Sequence, residues 1–269
     1  MKPLAIALLV AIVAVAEVAA QGPPAGRGRQ AGPPPTARSS APVDLTGQWV
    51  SIVTEDWRWR MVTPAKRDYA GVPLNAEGRK AADAWDLEAD NAAGNQCRAF
   101  GAAAIMRVPA RIRISWQDDN ALKLETDAGQ QTRVFRFIAP TPGGVLPLPP
   151  LATAPRSWQG VSDVQWFRQP QSRGLGFGGV GALTGGSLRV VTRQMRAGYL
   201  RKNGVPYSAS TVFTEYWDLQ TEDNGDQYLV DTNSVNDPAY LQLPWLTAIH
   251  FKKERDGSKW DPTPCDARY

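Results

Sequence analysis

Ser210-Thr-Val-Phe-Thr-Glu-Tyr-Trp-Asp-Leu219 alternates polar and apolar side chains with the two-residue period of a strand that has one face inside. That reading sets Phe213, Glu215, Trp217 and Leu219 on the inner face. A carboxylate among aromatic rings must be paired, protonated or put to use, because burying it bare is costly. Short runs of the same period recur at 103–108, 111–117, 121–126 and 132–138, and again at 160–166, 187–195, 227–235 and 243–253. Asp118-Asp-Asn120 and Asp127-Ala-Gly129 punctuate the earlier runs as hairpin turns. Residues 75–85 read as one short helix, with Asn75 as N-cap and Glu77 in its first turn. The expected fold is all-β: an antiparallel up-and-down barrel of about 8–10 strands with that one helix.

The chain opens with one basic residue and an apolar run ending Val18-Ala19-Ala20, the layout of a signal peptide cleaved near Ala20. The run from Leu4 to Val15 is short for a membrane span. No later stretch reaches that length, so the mature chain is expected to carry no integral membrane segment and to be periplasmic or secreted. Residues 21–42 are rich in Pro, Gly, Ala and Arg and read as a disordered leader, leaving 43–269 as a single β-barrel domain. The formal net charge of +4 is unchanged by cleavage, since Lys2 and Glu17 leave together. Arg27, Arg29 and Arg38 lie in the leader, so the body is nearly balanced and nucleic acid is not an expected partner. Cys97 and Cys265 are the two cysteines, and in an oxidising compartment a bridge between them is the simple reading.

Chemistry converges on Glu215. His250 is the one histidine and alternates outward, away from Ile249 and Phe251, which disfavours triads and reactive thiols. Ser162 lies in Gly-Val-Ser-Asp rather than a nucleophile elbow. Zinc and copper lack ligands, Asp223-Asn-Gly-Asp226 reads as a turn, and no cofactor motif is present, so neither metal nor cofactor is expected. Glu215 is then either a ligand-binding or acid/base residue, or the structural partner of an inward arginine. Arg133 shares a face with Phe135 and Phe137, and Arg107 with Ile105. Trp116 and Trp166 are the nearby aromatics. Trp57, Trp59 and Met61 share a face opposite Arg58 and Arg60, as a core-facing strand or an aromatic platform. Residues 173–186 hold seven glycines with Leu175, Phe177, Val180 and Leu183 among them, either a mobile cover for a cavity mouth or a tolerated insertion.

Gly47-x-Trp49 at the entry to the first strand resembles the opening of lipocalin- and calycin-like barrels. Lipocalins set an arginine of the last strand against that tryptophan, where this chain has Lys252 and Lys253. A longer series resembles an uncharacterised family of secreted bacterial β-rich proteins. It comprises Pro73-Leu74, Glu77-Gly78, Cys97, Trp158-x-Gly160-x-Ser162-x-x-x-Trp166, Ser187-Leu-Arg-Val-Val-Thr192, Gly204-x-Pro206-x-Ser208, Thr214-Glu215, Asp237-Pro238-x-Tyr240, Pro244-Trp245 and Cys265. The resemblance implies a secreted β-rich domain and adds weight to Glu215, but implies no activity. The 173–186 segment departs from it. Two functions follow as expectations. One is a lipocalin-like protein holding an apolar or amphipathic small molecule in its interior, bound by Glu215, Trp217, Phe213, Trp166, Trp116, Arg107 and Arg133. The other is a metal-independent isomerase, cyclase, hydratase or lyase with Glu215 as general acid/base.

Overall fold

Nine strands close into a ring in a computed structural model that describes residues 33–151, 153–170 and 183–267, side chains of 169–170 and 183–186 excepted. The strands are β1 (Gly47–Ile52), β2 (Arg111–Asp118), β3 (Ala121–Thr126), β4 (Thr132–Phe137), β5 (Val161–Pro170) and β6 (Leu183–Arg193). The pair β7 (Gly198–Arg201) and β8 (Val205–Tyr207) stands outside the ring as a separate hairpin. β9 (Val212–Thr221), β10 (Gln227–Asn236) and β11 (Trp245–Glu254) complete it. The order around the barrel is β1-β11-β10-β9-β6-β5-β4-β3-β2.

Nine is an odd number, and that has a geometric consequence. Strands that are antiparallel to every neighbour alternate in direction, so a purely antiparallel ring needs an even count. One joint must therefore run parallel, and it is β4–β5, which pairs Phe135 with Ser162 and Phe137 with Val164. The barrel is largely antiparallel rather than strictly up-and-down. The long Pro-rich connection from β4 to β5 carries the chain back to the starting end, as a parallel pair demands.

Alternation holds along the strands that matter. In β9, Phe213, Glu215 and Trp217 are buried between neighbours that are partly buried or, at Asp218, exposed. Trp217 stacks on Phe251, with centroids 6.1 Å apart, and packs at 6.4 Å against Phe135. At the end holding the β2–β3 turn, Phe137 lies between Trp116 and Trp166. There Trp49 donates from Nε1 to the Leu45 carbonyl, and the Lys253 ammonium sits 5.2 Å over its ring. A lysine thus supplies the cation that lipocalins draw from an arginine. The compact body begins at Pro35, inside the expected leader. Ala37 is fully buried, its N–H donates to Asn120 Oδ1, and its carbonyl accepts from Trp166 Nε1 at 2.7 Å. The stretch expected to be a signal peptide and residues 171–182 lie outside the described residues.

The other end is capped by more helix than the single one expected: α1 (Trp57–Arg60), α2 (Ala76–Asp83), α3 (Leu87–Ala92), α4 (Ala102–Ile105) and a 3-10 turn at Gln96–Phe100. α2 is the expected helix, with Asn75 Oδ1 accepting from the Gly78 N–H. Two expected strands are instead helical. At 57–61 the burial is inverted: Trp57 and Met61 are exposed, while Arg60 is buried. Its guanidinium bonds Ser51 Oγ, the Arg107 carbonyl and Glu55, and this full set of partners outweighs the apolar pattern. The run at 103–108 becomes α4 and its exit, since Ala-Ala-Ala favours helix and every residue of it is buried either way. The cap is pinned by the Cys97–Cys265 disulfide. Among the described residues no helix is long and apolar enough to cross a membrane.

Candidate functional site

Glu215 finds its partner on β4. Arg133 donates through Nη1 to Glu215 Oε1 at 2.8 Å and through Nη2 to Oε2 at 2.5 Å, a bidentate pair with neither side chain reached by solvent. The guanidinium lies over the rings of Phe135 and Phe213, 4.9 and 5.9 Å away. Its Nη2 also donates to Thr192 Oγ1 on β6, whose oxygen is 2.8 Å from Ser162 Oγ on β5. The chain Glu215–Arg133–Thr192–Ser162 thus crosses the interior from β9 to the parallel joint.

A second carboxyl lies beside the first. Asp231, on β10 opposite Trp217, is as fully buried as Glu215. Its Oδ2 accepts from Asn233 Nδ2 at 3.0 Å, and Asn233 Oδ1 accepts from Thr247 on β11. Burial, and then the charge of Glu215, push the Asp231 carboxyl well above the usual carboxylate range. Arg133 gives both of its carboxylate bonds to Glu215 and opposes that rise in Asp231 only weakly. Asp231 Oδ1, Trp217 Nε1 and Arg133 Nε have no hydrogen-bond partner among the described residues.

Of the expected site residues, Glu215, Arg133, Phe213 and Trp217 come together. Trp166, which shares the β6 partner Leu188 with Trp217, and half-buried Trp116 pack instead with Phe137 in a separate aromatic group. Arg107 does not reach Glu215. Following α4, it donates to Asp56 Oδ2 at 2.7 Å and stacks on Trp245 in the cap. Asp231 was legible by the same alternation as Glu215, since Leu229, Asp231, Asn233 and Val235 share one face. Its more polar surroundings in sequence hid it. Ser162 matters here as a hydrogen-bond relay at the parallel joint, which no local motif announces.

None of the four clefts described is lined by Glu215. One of about 400 Å3 lies along the β4–β5 seam, between Gln131–Arg136 and Ser157–Ser162. It exists because the parallel pairing starts only at Phe135, leaving Thr132 to Val134 without β5 partners. Val134, Val161 and Trp158 give it an apolar wall, and the Arg196 guanidinium lies 4.1 Å over the Trp158 ring. Exposed Arg136 stands in its lining with no ion-pair or hydrogen-bond partner among the described residues. Ser162 belongs both to this lining and to the interior chain. No family model, curated protein or solved structure matches the sequence or fold of this chain.

Proposed function

We propose that this chain is an exported, lipocalin-like protein that binds an apolar or amphipathic small molecule. In this reading, the N-terminal apolar segment is a signal peptide, and the disulfide suits the oxidising compartment beyond it. The observation that carries the binding reading is the seam cleft. It is large enough for a small ligand, its wall is mainly apolar, and Arg136 offers an uncommitted cation. A ligand with an apolar body and an acidic head fits that combination. The interior chain from Ser162 to Glu215 then serves as the rigid frame behind the site rather than the contact surface.

Acid/base catalysis by Glu215 has one observation in its favour, the neighbouring carboxyl of Asp231. Against it stand the two arginine bonds that occupy both Glu215 oxygens and the exclusion of solvent from both acids. Binding is the better supported of the two.

Native mass spectrometry of protein purified from its host is expected to reveal a retained small molecule. Titration with dodecanoate tests the location. Arg136→Glu and Val134→Trp are each expected to weaken binding about tenfold or more, the loss of one charge contact or of the apolar space. Unchanged affinity in both variants would place any ligand elsewhere and end this reading.

A further inference from the structure

Another cleft, of about 390 Å3, lies in the helical cap, where the connection between α2 and α3 meets the β7–β8 hairpin. Four aromatic rings border it: half-buried Trp85, Tyr199 and Tyr240, and fully buried Tyr207. The uncharged remainder of its lining is alanine, glycine and proline, so no long side chain projects to fill the space. Gly204, at φ +84° in the β7–β8 turn, permits the close approach of Trp85. A Cβ there would lie 2.3 Å from both Cβ and Cγ of that tryptophan.

The charged groups of the cleft are only partly engaged with one another. Asp90 is buried, and both its oxygens are used: Arg98 Nη1 donates to Oδ1 and the Tyr199 hydroxyl to Oδ2, each at 2.7 Å. The Arg98 guanidinium closes the triangle, 4.4 Å over the Tyr199 ring. Arg98 Nε and Nη2 have no hydrogen-bond partner among the described residues, and the side chain is 31% exposed. Asp86 is exposed and caps α3 through Oδ1, which accepts from the Glu88 and Ala89 N–H groups. Its Oδ2 has no such partner among the described residues. The cleft thus offers donors on one residue, an acceptor on another, and rings fixed in advance of binding.

Charge narrows the ligand. An anion would face Asp86 and Asp90, and a cation would face Arg98. A hydrocarbon would strip water from Arg98 and Asp86 and give no bond in return. A sugar ring meets all of these demands. Its C–H face covers an aromatic ring, while its uncharged hydroxyls accept from Arg98 and donate to Asp86. We propose that this cap cleft binds a neutral saccharide of one or two pyranose rings. No described residue lines both this cleft and the one at the seam, so the site is independent of the ligand proposed there.

Saturation-transfer NMR on the purified full chain tests this, with maltose, cellobiose, lactose and N,N′-diacetylchitobiose as probes. At least one is expected to give saturable transfer, strongest at the protons of one ring face. Asp86→Asn keeps the cap of α3 but presents an amide donor where Oδ2 accepted, and Tyr240→Ala removes one ring. Each is expected to weaken binding about tenfold. Dodecanoate, the probe of the seam, is expected not to compete. Absence of transfer from all four sugars, an affinity that either variant leaves unchanged, or displacement by dodecanoate would overturn the proposal. If Tyr240→Ala fails to fold, Asp86→Asn decides alone.

Discussion

Glu215 and Arg133 exemplify how a buried ion pair constrains more than it stabilises. Desolvating both ions costs several kcal/mol, which bidentate geometry roughly offsets. Removing one charge is different, because the other stays buried and uncompensated. Glu215→Gln is expected to cost about 3–5 kcal/mol in chemical denaturation, whereas Arg133→Met with Glu215→Leu should recover most of that loss. A double change that costs as much as Arg133→Met and Glu215→Leu measured separately and added together would show that the pair carries no coupling. Asp231 sets a pH dependence of the opposite kind. Its carboxyl is raised in the folded state, so the native protein holds a proton that the unfolded chain releases above its ordinary value of 3.8. Stability from this group is full below that pH and declines as pH rises toward the raised folded value. Asp231→Asn should abolish the decline, gaining on wild type by up to about 1.4 kcal/mol per pH unit across the window. Melting curves at pH 4 to 8 that stay parallel for the two proteins would refute this.

The entry to β5 depends on a single backbone position. Gly160 has φ +60°, and a Cβ there would lie 2.3 Å from the Arg193 carbonyl on β6. This tight turn lets the chain start β5 late, in register with β6 but only partly beside β4. The short parallel joint, the seam cleft and the placement of Ser162 all follow from it. Gly160→Ala is expected to destabilise by about 1–3 kcal/mol from backbone strain alone, and more if β6 must shift. A neutral effect on the denaturation midpoint would mean the turn relaxes freely. The contrast with 57–61 is informative at the same scale. There the alternation of Trp and Arg suits a strand, but the bonding needs of one arginine, Arg60, make a helical turn with the cation inward.

For the molecule as a whole, closure is the dominant constraint. A ring of nine strands leaves no exposed sheet edge in the barrel, apart from the partial opening at the seam. Segments from both flanks of the barrel sequence complete it: residues from Ala37 plug one end, and the Cys97–Cys265 bridge ties the tail to the cap at the other. The bridge spans 168 residues, and loop-closure entropy of that length is worth about 5 kcal/mol. Reduction is therefore expected to lower the melting temperature by roughly 10 °C or more. An unchanged value would show that the cap and tail hold together without it.

Side-chain alternation is a local property, so the amino-acid order alone determined the β class, most strand positions, the α2 helix with its Asn75 cap and the inward placement of Glu215. It equally determined that two cysteines were available to pair. Only the tertiary structure decided that Arg133 rather than Arg107 meets Glu215, that Asp231 lies beside them, that one joint runs parallel and that clefts open at the seam and cap. Those outcomes depend on which distant strands become neighbours and in what register. Ring closure and the hydrogen-bonding needs of buried arginines settle that collectively, and no short stretch of chain contains it.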